Sequence, residues 1–220
     1  NFYLRSLASN LMRVLILVAF ILSSCSSNIN LSGMKNLNFL PLERSSYKVK
    51  KGDTLWTIAI KSNNDPLRIA KKNNLKKPYT IYPGQNLDLR DLDNVELDKE
   101  IISPSWKLPT LKSTAKKYEG IYWLIFNGKI GDPVFTVFGG NVVVSGSSLP
   151  GYGNFIMIDH GNGYLSLYAH CDKLFVSKGQ KVIAGQQIAT IGSSEINRPT
   201  LKFQIRKSGA PLKVANLKFY

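Results

Sequence analysis

Residues 151–170 read Gly-Tyr-Gly-Asn-Phe-Ile-Met-Ile-Asp-His-Gly-Asn-Gly-Tyr-Leu-Ser-Leu-Tyr-Ala-His. Gly151 and Gly153 break the chain ahead of the run Phe155 to Ile158, His160-Gly161-Asn162-Gly163 supplies a tight turn, and Tyr164 to Ala169 returns. The stretch therefore spells an antiparallel hairpin. The same grammar extends outward. Gly139-Gly140 precedes Val142-Val143-Val144, and Lys178-Gly179-Gln180 and Ala184-Gly185-Gln186 repeat a turn between Val182, Ile188 and Ile191. A last strand runs from Leu201 through Phe203 and Ile205. Short strands between glycine turns over residues 105–220 predict an all-β antiparallel domain.

Residues 46–90 follow a different pattern. Tyr47 and Val49 alternate with lysines as in a short strand, Gly52-Asp53 turns the chain, and Asp53 or Thr54 caps a helix whose buried stripe is Leu55, Ile58 and Ala59. Asp65-Pro66 opens a second helix with Leu67, Ile69 and Ala70 as its apolar residues, and Asn73-Asn74 stops it. Pro83-Gly84 turns into a closing strand with Leu87 and Leu89. The order is strand, helix, helix, strand, so the chain as a whole is α+β. Between the two regions, residues 91–104 carry Asp91, Asp93, Glu96, Asp98 and Glu100 and form an acidic linker.

The start of the chain is an address. Met12-Arg13 precedes the apolar run Val14 to Leu22, which is too short to span a bilayer, and then Ser23-Ser24-Cys25. Residues 1–25 are a secretion signal, and the polar, aperiodic residues 26–45 are a tether. The 220 residues carry 29 Lys and Arg against 14 Asp and Glu, a net charge of +15. Such a balance favours anionic partners, or else reflects a compositional bias spread along the chain. No zinc-finger spacing, RNP-like string or basic-region helix is present, which argues against nucleic acid.

Leu22-Ser23-Ser24-Cys25 resembles the bacterial lipoprotein cleavage box. The resemblance implies lipid attachment at Cys25 and a place in the cell envelope, on the periplasmic face of the outer membrane. Val49-Lys50-Lys51-Gly52-Asp53-Thr54-Leu55-Trp56-Thr57-Ile58-Ala59 and Tyr79-Thr80-Ile81-Tyr82-Pro83-Gly84-Gln85-Asn86-Leu87 resemble the two signatures of the LysM domain. That family binds N-acetylglucosamine-containing glycans of peptidoglycan, and the matching positions here are Gly52, Asp53, Thr54, Ile81 and Tyr82. Turn-making and core packing are an alternative for each of these residues, and for Gly52, Leu55 and Pro83 they are the better explanation.

Residues 151–170, with Gly179-Gln180-Lys181-Val182-Ile183-Ala184-Gly185-Gln186, resemble the LytM or lysostaphin-type peptidase domain. The resemblance is to the branch found beside LysM in NlpD-like lipoproteins, and it implies a β-sandwich. Active relatives hold zinc with a histidine, an aspartate four residues on, and the second histidine of a His-x-His pair. These positions correspond here to Tyr118 and Tyr122, and to Thr200 and Lys202; of the assisting histidines, His170 remains. An ammonium has no free lone pair for a metal, and the active constellation needs four histidines where this chain has two. The reading is a domain with no catalytic residue, metal or cofactor. Tyr118, Tyr122, His170, Thr200 and Lys202 would then line a groove that docks a cell-wall amidase. A purely wall-anchoring protein and an active zinc endopeptidase are the competing readings. His160, beside a turn, is expected at the surface, and Cys171 as a buried thiol.

Overall fold

The computed structural model describes residues 45–90, 92, 104–111 and 116–220, with backbone alone for 116–118. Cys25, the signal 1–25, all but the last residue of the tether 26–45, and most of the linker 91–104 lie outside them.

The first module pairs Ser46–Lys48 (β1) antiparallel with Asn86–Asp88 (β2), Tyr47 opposite Leu87. Two helices, Leu55–Ser62 (α1) and Pro66–Lys72 (α2), lie between them in sequence. Thr54 begins α1 because its side chain accepts from the Thr57 amide while the Thr57 hydroxyl accepts from the Thr54 amide, a reciprocal cap. Asn63 ends it in the left-handed region, at φ 52°. Asp65 caps α2 by accepting from the Leu67 amide at 2.7 Å. Leu67 is exposed, contrary to the expected stripe: it sits one residue past the opening proline of a short helix, and Ile69 and Ala70 make the packing contact instead. In α1, by contrast, every residue but Lys61 is buried. A helix covered on all sides has more than one partner.

The second module is built on a ten-stranded sheet, antiparallel throughout its pairings. In chain order its strands begin after Ser105–Trp106 (β3), with Lys116–Glu119 (β4), Trp123–Asn127 (β5), Pro133–Phe135 (β6), Gly140–Gly146 (β7) and Asn154–Gly161 (β8). They continue with Tyr164–Leu174 (β9), Lys181–Val182 (β10), Gln187–Ile191 (β11), Thr200–Lys207 (β12) and Ala210–Pro211 (β13). The path is β10-β7-β8-β9-β12-β5-β4. Strand β11 leaves it by pairing with β9 and carries β6, closing the sheet over an inner core of Phe126, Ile156, Ile158, Tyr168, Ile191, Phe203 and their neighbours. Lys218–Phe219 (β14) lies parallel to β3 in a separate two-stranded sheet, which packs Phe219 against that core and buries Trp106 within it.

The expected hairpin is β8–β9, with Asn162 at φ 49° and Gly163 at φ 76° in its turn. His160 is not the free surface residue anticipated. Its ring is held by the Gly139 carbonyl at 2.9 Å and the Ser166 hydroxyl at 2.7 Å, against Trp106 and Phe138, and burial lowers its pKa. Strand alternation puts it on the same side as Ile156 and Ile158, toward Trp106 in the inner core, despite its place near the turn.

Candidate functional site

Alternation along β12 sends Leu201, Phe203 and Ile205 into the inner core, so Thr200, Lys202, Gln204 and Arg206 point to the opposite face. Register carries that face across the sheet. Lys202 stands opposite Ile125 on β5 and Ala169 on β9, Gln204 opposite Leu167, and Leu167 in turn opposite Met157 on β8. The expected groove residues at Thr200 and Lys202 therefore share one face.

Lys202 reaches Glu119 at 3.0 Å and lies 4.9 Å over the Trp123 ring. The pair is partly exposed, so it contributes about 1 kcal/mol or less to stability. Its weight lies in placement: a fixed cation stands where the resemblance puts a zinc ligand. The Thr200 hydroxyl is buried with no hydrogen-bond partner among the described residues, and so is the side-chain oxygen of Asn127, its cross-strand neighbour.

His170 is brought to the same end of the face by a bulge. Asn154 pairs with Cys171 and Ile156 with Tyr168, so β9 has one residue too many, and His170 takes φ 65°. Its amide donates to Tyr152 and its Nδ1 bonds the Ser194 carbonyl at 2.8 Å, which leaves Nε2 as the acceptor of a neutral ring. Burial lowers the His170 pKa and outweighs the Ser194 hydrogen bond, which raises it, while nearby Lys202 lowers it further. Cys171 is buried, and desolvation raises its thiol to about 12. Tyr122 is half-buried in the turn after β4. Tyr118 occupies the register position opposite Leu124, one step from Glu119, which is the β4 residue that meets Lys202.

The zinc ion implied by the resemblance does not fit this set. The positions hold Tyr122, Thr200 and an ion-paired lysine, and among the described residues no three His, Cys, Asp or Glu side chains gather where a metal could be held.

In the first module, Gly52 turns at φ 88°. The Asp53 carboxylate is only 4% exposed and accepts from the Tyr47 hydroxyl, the Lys50 amide and the Lys61 ammonium at 2.6–2.8 Å. Burial pushes its pKa up, but these donors outweigh burial and hold it below the ordinary value. Thr54 is engaged in the helix cap. Ile81 is half-buried against the module core, while Tyr82 presents an open ring, 67% exposed. Of the five positions, Tyr82 is the one that presents a large exposed side chain.

Glu119, Trp123 and Tyr152, which surround Lys202, were not singled out from the sequence. Trp123 and Tyr152 pack ring on ring at 5.8 Å beside Lys202. The period of β5 was the available signal, since Trp123 and Ile125 alternate with Leu124 and Phe126.

The Peptidase family M23 model matches residues 119–214, and the LysM domain model matches residues 47–90. The lipoprotein YgeR of Escherichia coli (strain K12) is 32% identical over 222 residues, spanning 88% of this chain and 86% of that protein. The outer membrane antigenic lipoprotein B of Histophilus somni is 32% identical, across 74% of this chain and 64% of its own length. The murein hydrolase activator NlpD of Escherichia coli (strain K12) is 27% identical, across 75% of this chain and 65% of its own length. With a LysM domain before a peptidase family M23 domain, and that degree of likeness to YgeR, the chain belongs to the NlpD-like lipoproteins.

Proposed function

We propose that this protein is a non-enzymatic regulator of the bacterial cell envelope. It holds peptidoglycan through its LysM module and docks a cell-wall amidase, which it activates, in the groove of its M23-type domain. The membrane anchor is the lipid on Cys25, facing the periplasm from the outer membrane. The observation that carries the reading is Lys202: it is tied to Glu119 and Trp123 on a face whose relatives' chemistry needs a metal ligand there. Without a metal to polarise a carbonyl and activate water, the peptidase rate enhancement has no source. The name of the murein hydrolase activator NlpD supports the amidase assignment.

The test is direct. Added to purified amidases and sacculi, the mature chain is expected to raise release of wall fragments, and Lys202→Glu to abolish the gain. No gain with any amidase of the cell would retire the reading. Metal analysis of the pure chain is expected to find no stoichiometric zinc; bound zinc together with cut stem peptides would establish the peptidase instead.

A further inference from the structure

The groove face does not end at Lys202. Along β12 it continues through Gln204 to Arg206, and across the sheet through Leu165 and Leu167 on β9, Met157 on β8 and Val144 on β7. All of these are buried, yet none belongs to the inner core. The apolar ones, Val144, Met157, Leu165 and Leu167, form one cluster with Leu55, Trp56, Ile58, Ala59 and Ile60 of α1. Helix α1 lies against β7, which is why it is covered on all sides.

At the far end of α1 the contact becomes specific. Arg206, a buried guanidinium, donates to the Asn63 side-chain oxygen at 2.8 Å, and also to Gln204 and the Gly209 carbonyl. The backbone of Asn64 and Asp65 rests on Gly209 so closely that a Cβ there would stand 2.4 Å from it. A guanidinium with all these acceptors satisfied, and a glycine at the point of closest approach, mark a seat built for this helix.

We propose that the LysM module is a built-in cover: seated through α1 on the groove face, it closes the half beyond Lys202 to a protein partner until the two modules separate. This rests on the amidase-docking reading of the groove, so the experiment has one arm that does not involve an amidase. Asn63→Gly removes the oxygen that Arg206 binds while keeping the left-handed backbone, and it loosens the seat without cutting the chain.

The first arm measures maleimide labelling of Val144→Cys in the full chain, read by peptide mass so that Cys25 and Cys171 are distinguished; Leu165→Cys repeats it should Val144→Cys fail to fold. The native cysteine is expected to label at least about tenfold more slowly than in urea, and Asn63→Gly to raise the native rate several-fold. Native labelling as fast as in urea overturns the cover. The second arm adds the Asn63→Gly chain and the unsubstituted chain to amidase and sacculi. Greater stimulation by Asn63→Gly supports gating, whereas equal stimulation overturns it. Slow labelling with stimulation by neither chain sinks the amidase reading alone and leaves the seat standing.

Discussion

His160 and His170 make the clearest case at the scale of single residues, because one is half-buried, the other buried, and desolvation holds both pKa values below the ordinary 6.5. The folded state keeps them neutral, while the unfolded chain takes up protons as pH drops past 6.5. The stability they contribute is complete above that value and is lost as pH falls toward the lower folded pKa. The thermal midpoint is expected to fall by on the order of a few degrees between pH 7 and pH 5, and His160→Gln with His170→Asn to flatten the profile. Asparagine suits the second site because it tolerates φ 65°. Asp53 acts at lower pH by the same rule: its contribution is full above 3.8 and is lost as pH falls through its lowered folded value. A denaturation series from pH 5 downward is expected to lose its steepest acid-dependent part in Asp53→Asn. If Tyr82 supplies the sugar platform, Tyr82→Ala should weaken pull-down on purified sacculi while leaving the thermal midpoint within about 1 °C, as expected of an open surface ring.

At the scale of elements, the sequence was legible wherever local rules decide. The Thr54 cap, the Asp65-Pro66 start and the Gly163 turn each act within a few residues, and each stands where the pattern placed it. Thr54→Ala is expected to cost about 1 kcal/mol in denaturant unfolding. Gly153 should tolerate nothing larger, since at φ 58° a Cβ would stand 2.3 Å from the Ser194 hydroxyl. The same locality explains what was missed. Two residues in a string such as Tyr118-Glu119 look interchangeable until register fixes which one shares a face with Lys202, and register is set by strands far away in sequence. The bulge at His170 is a pairing defect between β8 and β9 and has no signature in either strand alone. His160 was misjudged for a related reason. Proximity to a turn says little about burial once Trp106, from a strand remote in sequence, packs against the ring.

For the whole molecule, composition and the acidic linker suggested two modules on a string, yet the described residues of both share one apolar cluster. No periodicity in α1 announces a second partner; the warning sign was a helix with hardly a polar face. Calorimetry is expected to show both modules melting in one cooperative transition, and two separated transitions would contradict the shared cluster. The lysine over Trp123 has a last consequence, for dependence on trace elements. A positive charge fixed to the backbone cannot be stripped by a chelator or starved by scarcity, so EDTA should leave this groove's behaviour untouched while silencing any zinc-dependent neighbour that works on the same wall.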